Sequence, residues 1–259
     1  MKLPIYQIDA FAEKPFEGNP AAICPLESWL PDALMQLIAE ENNLSETAFF
    51  VPTETGFHIR WFTPTTEVDL CGHATLAAAH VLFHCLGFEH DNIEFESRSG
   101  LLHVSREGDL LVLDFPAQPA VSCEAPEAIQ HAFGIEPMEC LKAEDYIVVF
   151  EFEDDLLSVD PDIELLRQLD GRGVIITASS QVYDFVVRFF APKFGINEDP
   201  VTGSAYTQLA PYWSSRLGRP RLHAKQVSSR GGEVTCEVHG DRVSIAGKAV
   251  KYLQGEIEI

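Results

Sequence analysis

The stretch Asn42-Asn43-Leu44-Ser45-Glu46-Thr47-Ala48-Phe49-Phe50 places one carboxylate at the start of an otherwise apolar extended run. Taking a carboxylate out of water is costly, and such groups become acids or bases with raised pKa. The plain alternative is a surface Glu on an edge strand, and the pattern leaves both open. His73 follows Cys71-Gly72 directly. An imidazole titrates near neutrality and can act as a general acid or base. Glu198-Asp199-Pro200 stands before a second, similar junction. There Asp199 either caps the turn or orients a reacting group. The two junctions read Cys71-Gly72-His73-Ala74 and Thr202-Gly203-Ser204-Ala205. A Gly where a loop enters a helix lets the backbone approach a ligand, and the free N–H groups and helix dipole favour an anion. Two such starts facing each other across a cleft would hold a carboxylate without any Arg. Read blandly, they are two ordinary helix N-termini.

The elements that must carry these residues occur twice. Arg60-Trp61-Phe62-Thr63-Pro64 recurs as Arg188-Phe189-Phe190-Ala191-Pro192 at an offset of 128. The two junctions recur at 131, and Ser97-Arg98-Ser99-Gly100 recurs as Ser229-Arg230-Gly231-Gly232 at 132. Gly108-Asp109 and Gly240-Asp241 share that last offset. Matches in one order at nearly one offset indicate two homologous halves of common domain size, 1–116 and 117–259, rather than a short-period solenoid. Each half runs from an extended aromatic segment (Gly56–Phe62; Val182–Phe190) through a Pro-bearing loop to an apolar helix (Gly72–Leu86; Gly203–Leu217). Gly87 and Gly218 then stop the helices. Alternating segments around each Gly-Asp turn predict hairpins over Gly100–Phe115 and Gly232–Ile245. A further helix is expected over Ser28–Glu41 from Leu30, Leu34, Leu37 and Ile38. Mixed strands with one central apolar helix per half predict an α+β fold.

Composition narrows the function class. The chain has 259 residues and a formal charge of -22, with 46% hydrophobic and 22% charged residues. That is an ordinary globular balance. So acidic a chain lacks the basic footprint that nucleic acid or an anionic membrane requires. Residues 121–170 hold fourteen acidic and two basic residues, a net of -12, leaving -10 for the other 209. This stretch reads as a solvated face, with an interaction surface as the alternative. The apolar run Ala74–Phe88 is too short to span a bilayer. The N-terminal MKLPIYQIDAFAEKPF has no secretory pattern. The six cysteines form no C-x-x-C pair and fit free thiols in a reducing cytoplasm.

Several chemistries are poorly supported. Cys71-x-His73 lacks the companion ligands of a zinc site, so no metal is expected. Thr202-Gly203-Ser204-Ala205 is not a nucleophile elbow. No phosphate loop follows Gly231-Gly232, and no dinucleotide fingerprint occurs. A cofactor-free enzyme remains.

Gly18-Asn19-Pro20-Ala21-Ala22, Asn43-Leu44-Ser45-Glu46-Thr47-Ala48-Phe49, Arg60-Trp61-Phe62-Thr63-Pro64 and Leu70-Cys71-Gly72-His73-Ala74-Thr75 together form a family pattern. So do Glu198-Asp199-Pro200-Val201-Thr202-Gly203-Ser204-Ala205 and Ser229-Arg230-Gly231-Gly232. In these segments, spread over residues 18–232, the chain resembles the PhzF-like proteins of the diaminopimelate-epimerase-like fold. The resemblance implies two halves, each a barrel-like mixed sheet around a central helix, with an active site in the cleft between them. It implies a cofactor-independent isomerase acting on a small carboxylate, and a homodimer. By the same resemblance Glu46 is the acid/base that moves a proton between carbons, and His73 and Asp199 are its partners. Asn19, Ser45, Cys71, Gly72, Thr202, Gly203 and Ser204 contact substrate. Related epimerases pair two Cys bases, one per junction. Here the second position is Thr202, a poor base for a carbon acid, so one-base isomerisation through Glu46 is preferred. The alternatives are a Cys71-dependent epimerase or racemase and a non-catalytic interaction protein. Phenazine-pathway members carry a non-Cys residue at the first junction, so Cys71 argues against a phenazine precursor as substrate.

Overall fold

The computed structural model describes residues 1–259. Its chain divides into two compact units. One comprises Met1–Asp114 with Ala246–Ile259, and the other Phe115–Ile245. The expected division into 1–116 and 117–259 therefore differs at its C-terminal end. The reason is strand pairing: Ala249–Glu258 lies antiparallel to Lys2–Ala10, from Lys2 opposite Glu258 to Ala10 opposite Ala249. The last strand closes the first unit.

In the first unit, Lys2–Ala10 also pairs antiparallel with Asn19–Pro25. Asn19–Pro25 runs parallel to Glu46–Pro52, which is antiparallel to Phe57–Phe62. Phe57–Phe62 is parallel to Asn92–Ser97, which forms an antiparallel pair with Gly100–Glu107. The second unit repeats the order. Tyr146–Val149 is parallel to Val174–Ser179, and that strand is antiparallel to Phe185–Ala191. Phe185–Ala191 is parallel to Arg221–Gln226, which is antiparallel to Gly232–His239. The same alternation of parallel and antiparallel neighbours in both units is the duplication expressed in hydrogen bonds. The hairpin of the first unit, Gly100–Glu107 with Leu110–Pro116, falls where the Gly-Asp turn predicts it.

Each unit is built on one central helix. Gly72–His84 is buried over most of its surface, with Leu76, Ala77, Ala78, Ala79 and Val81 fully enclosed and only its C-terminal His84 exposed. A helix apolar all round must be surrounded. Its alanines let the strands Lys2–Ala10, Asn19–Pro25 and Glu46–Pro52 approach closely. Ala205–Leu217 is the corresponding helix of the second unit and packs against Arg221–Gln226 and Gly232–His239. It starts two residues later than its spacing predicts, because Gly203 and Ser204 form a turn.

Outer helices cover the sheets. Asp32–Asn42 starts after Pro31, later than the expected Ser28, and packs Met35, Ile38 and Ala39 on Cys24, Leu26, Phe49, Val51 and Phe62. In the second unit, the acidic stretch turns Ile129, Phe133, Val148, Phe150, Leu156 and Leu166 into a core. Its Glu151 and Asp154 stay exposed. Asp145 of the same stretch is fully buried. No helix is long and apolar enough to cross a membrane.

Candidate functional site

Glu46 opens the strand Glu46–Pro52, opposite Ala21 of its parallel neighbour. Successive strand residues face opposite sides. Phe49 and Val51 pack under the outer helix. By parity Glu46, Ala48 and Phe50 face the other way, toward the central helix. The chain enters this strand through Asn43, which closes the preceding helix in a left-handed conformation (φ 47°). An Asn tolerates that conformation. Asn42 Nδ2 then donates to Thr47 Oγ1 (3.1 Å) and fixes the entry.

His73 lies in the first turn of the central helix and is buried with Glu46, its Nε2 3.0 Å from Glu46 Oε2. The two groups are close enough for an ion pair but misaligned for a hydrogen bond, so neither atom has a hydrogen-bond partner. On the other side of the ring, Asn19 Nδ2 stands 3.3 Å from Nδ1. Ser45 Oγ donates to Asn19 Oδ1 (3.1 Å), which turns the amide nitrogen toward the ring. Cys71 Sγ lies 3.6 Å from the same Nδ1. Ser45, Asn19, His73, Glu46 and Cys71 are thus one connected group within the first unit. Gly18 makes it possible. Its φ is +65°, and a Cβ there would fall 2.1 Å from the Ala10 carbonyl oxygen. Only Gly can turn the chain so tightly that Asn19 enters fully buried.

The group is electrostatically coupled. Burial works against a charged imidazole, but the adjacent Cys71 and Glu46 outweigh it and hold His73 well above its ordinary value. Burial, followed by the Glu46 charge, pushes Cys71 up to about 11 against the pull of His73. Cys71 is therefore a thiol near neutral pH. A buried thiol of this kind is a weak base.

The second unit gathers a different set. Asp199 ends the strand Ile196–Asp199 and accepts from Thr202 Oγ1 (2.5 Å). Gln226 accepts from the Thr202 amide (2.9 Å) and donates to the Asp199 carbonyl (2.8 Å). Thr202, Gly203 and Asp199 are buried. Ser204 Oγ accepts from Arg172 Nη2 (3.0 Å). Arg172 also grips the fully buried Asp145 through Nε (2.9 Å) and Nη2 (2.5 Å). Gln208 of the central helix donates to the same carboxylate (2.6 Å). Burial opposes the Arg172 charge, but Asp145, Glu144 and Asp199 raise its pKa overall. The helix start of this unit thus has a guanidinium beside it, contrary to the expectation of neutral donors alone. The sequence signal was an Arg between two glycines, Gly171-Arg172-Gly173, ahead of an apolar run.

The duplication is broken where it matters. Thr47 pairs with Phe62 and Val174 pairs with Phe190, and Phe62 and Phe190 are repeat equivalents. The residue before Thr47 is Glu46, and the residue before Val174 is Gly173. A Cβ at Gly173 would lie 2.7 Å from the Phe189 ring and 2.8 Å from the Phe190 carbonyl oxygen. The second unit therefore has no room for a counterpart of Glu46.

What the duplication keeps is the brace ahead of each helix. Arg60 holds Glu67 in a bidentate pair (2.6 and 2.8 Å). Arg188 holds Glu198 in the same way (2.7 and 3.0 Å). Each fork ties an extended strand to the loop that delivers Cys71 or Thr202. The repeated arginines are legible in the sequence, but their carboxylate partners, Glu67 and Glu198, recur at 131 rather than 128 and are paired only by the fold.

Residues 8–255 match the family model described as phenazine biosynthesis-like protein, PhzC-PhzF. The chain is 53% identical over 259 residues to an uncharacterized isomerase of Pseudomonas aeruginosa, covering all of both chains. Among solved structures, a PhzF-family phenazine biosynthesis protein from Enterococcus faecalis superposes with a TM-score of 0.98 at 47% identity, covering all of both chains. A hydroxyproline epimerase from Agrobacterium vitis shares the fold at a TM-score of 0.65 and 11% identity, over 99% of this chain and 92% of that one.

Proposed function

The chain belongs to the PhzC-PhzF family of phenazine biosynthesis-like proteins, and from that premise we propose that it is an isomerase that shifts a proton within a small carboxylate substrate. Glu46 is the base. It takes a proton from a carbon made acidic by the substrate's carboxylate or by conjugation, and the electron pair moves into the conjugated system. The same carboxyl group, now protonated, returns the proton to another carbon. His73, whose pKa its surroundings raise, supplies positive charge opposite the developing anion, its Nδ1–H then meeting the Asn19 amide turned with Oδ1 inward. Acid–base assistance by one positioned group contributes about 10²–10⁴ in rate. Cys71 and Gly72, which adjoin Glu46 and His73 in the first unit, are proposed substrate contacts. The reaction needs no cofactor.

The observation that carries this reading is the buried Glu46–His73 pair, whose facing atoms Oε2 and Nε2 have no hydrogen-bond partner. Buried polar atoms are normally satisfied. Two that are not, on an acid and a base in contact, fit a site that is completed by substrate. A Cys71-based epimerase is disfavoured by the thiol's upward shift to about 11. The test is incubation of candidate unsaturated and α-acidic carboxylates in heavy water with wild type and Glu46→Gln, followed by mass spectrometry. The wild type incorporates deuterium or isomerises its substrate, and the variant does so at least about 10²-fold more slowly. Equal rates would remove Glu46 as the base.

A further inference from the structure

The sequence shows only Cys71-x-His73, too few ligands for a metal. The fold supplies the third. One ligand atom each from Glu46, Cys71 and His73 lies within 4.8 Å of the other two. We infer that these three side chains form a binding site for a single thiophilic divalent cation, zinc foremost, and that zinc there blocks the isomerase by occupying its base.

The geometry is near what zinc requires. Bonds of about 2.0–2.3 Å in a tetrahedron put neighbouring ligand atoms roughly 3.5 Å apart. Cys71 Sγ is 3.6 Å from His73 Nδ1 and Glu46 Oε2 is 3.0 Å from Nε2, on the two sides of the ring. A single ion takes one of these nitrogens, and the ligand on the far side, now within 4.8 Å, swings in by side-chain rotation. The donor set is also right in kind. Sulfur and imidazole select zinc over magnesium or calcium, and three protein ligands leave a fourth position for water or a substrate carboxylate. A second observation points to a ligand independently of this spacing. Glu46 Oε2 and His73 Nε2 are buried without hydrogen-bond partners, an acceptor oxygen beside a nitrogen that can become a ligand once its proton leaves.

Charge balances on binding. Cys71 releases its thiol proton and His73 its imidazolium proton to solvent as the metal bonds form. Thiolate and carboxylate then neutralise the 2+ ion. If Nε2 takes the metal, Nδ1 keeps the ring proton and donates it to Asn19, whose amide turns its oxygen inward. Ser45, whose hydroxyl can donate or accept, follows that turn. Such an outer partner orients a ligating His.

The blocking of activity rests on Glu46 being the base, whereas metal binding does not. The experiment therefore reads both. Protein stripped with a chelator is titrated with Co²⁺, and thiolate-to-cobalt charge-transfer absorption is followed. One equivalent of Co²⁺ develops the band, and Zn²⁺ displaces it. Cys71→Ser abolishes the band, and Glu46→Gln weakens Zn²⁺ binding at least about 10-fold against a chromophoric chelator. The double variant Cys123→Ser/Cys140→Ser, which removes the other close pair of sulfurs (3.6 Å), leaves the band intact. If Cys71→Ser does not fold, Cys71→Ala reads the same ligand. No band at stoichiometric Co²⁺, or a band that survives loss of Cys71 or disappears with Cys123 and Cys140, overturns the proposal. Zinc at one equivalent also stops deuterium exchange into a turned-over carboxylate, and undiminished exchange with the metal bound refutes the block. Intact zinc binding with full exchange by Glu46→Gln would sink the proton-transfer reading alone.

Discussion

Replacing Glu46 with Gln keeps the shape of the site and removes one charge. The Oε2–Nε2 separation of 3.0 Å sets what that charge is worth to His73. Two unit charges at this distance interact by about 1.4 kcal/mol in bulk water and about 5.5 kcal/mol at an effective dielectric of about 20. The wild-type imidazole is held above its ordinary value. A group with a raised folded pKa adds stability that is fully present below the unfolded value, about 6.5, and is lost as pH rises through the folded value. Glu46→Gln removes the Glu46 part of that stabilisation. The wild-type-minus-variant difference in unfolding free energy should therefore fall, by an amount between those two figures, as pH rises from 6 through the folded midpoint of His73. Comparing pH values within each protein cancels the differing desolvation costs of Glu and Gln. The assay is urea unfolding across that range, with the His73 ring-proton titration followed by NMR in both proteins. The titration moves down in the variant. An unchanged His73 titration, or a free-energy difference flat with pH, would refute the coupling.

Other outcomes follow from the same geometry. Gly173→Ala pushes a methyl into the Phe189 ring and the Phe190 carbonyl; overpacking of this kind costs about 1–3 kcal/mol, read as a lower urea midpoint at constant m-value. Arg188→Met strands Glu198 and gives up the bond to the Val159 carbonyl (2.7 Å). A cost of about 3–5 kcal/mol is expected by urea unfolding. Arg60→Met costs less, because Arg98 still pairs with Glu67 at 2.6 Å; equal losses would contradict the asymmetry. Leu76→Ala in the enclosed central helix costs about 2–5 kcal/mol, measured by the same unfolding curves.

Much of this protein was legible in its residues. The offset matches announced two halves, and the apolar helices after Gly72 and Gly203 announced their centres. Both readings rest on short-range periodicity and on self-similarity, which survive in one dimension. Glu46 stood out because a charge in an apolar run is costly wherever the run ends up. Strand pairing between distant segments left no such mark. Residues 246–259 join the first unit because they pair with Lys2–Ala10, and nothing local distinguishes them from the half in which the sequence places them.

The sequence by itself determined which chemistry-bearing residue types were present and that their scaffold was duplicated. Tertiary structure alone decided which of them meet. His73 touches Glu46 across 27 positions of sequence because a helix start and a strand start converge at one end of the sheet. Asn19 enters the same group through a turn that only Gly18 can make. Arg172 reaches Ser204 because its guanidinium is held on Asp145, which Gln208 anchors one turn along the helix that Ser204 precedes. The two halves diverge chemically at Gly173, where an aromatic ring and a carbonyl fill the space that a carboxylate would need. Contacts of this kind depend on distances between side chains remote in sequence, and those distances exist only after the sheet has closed around its helix.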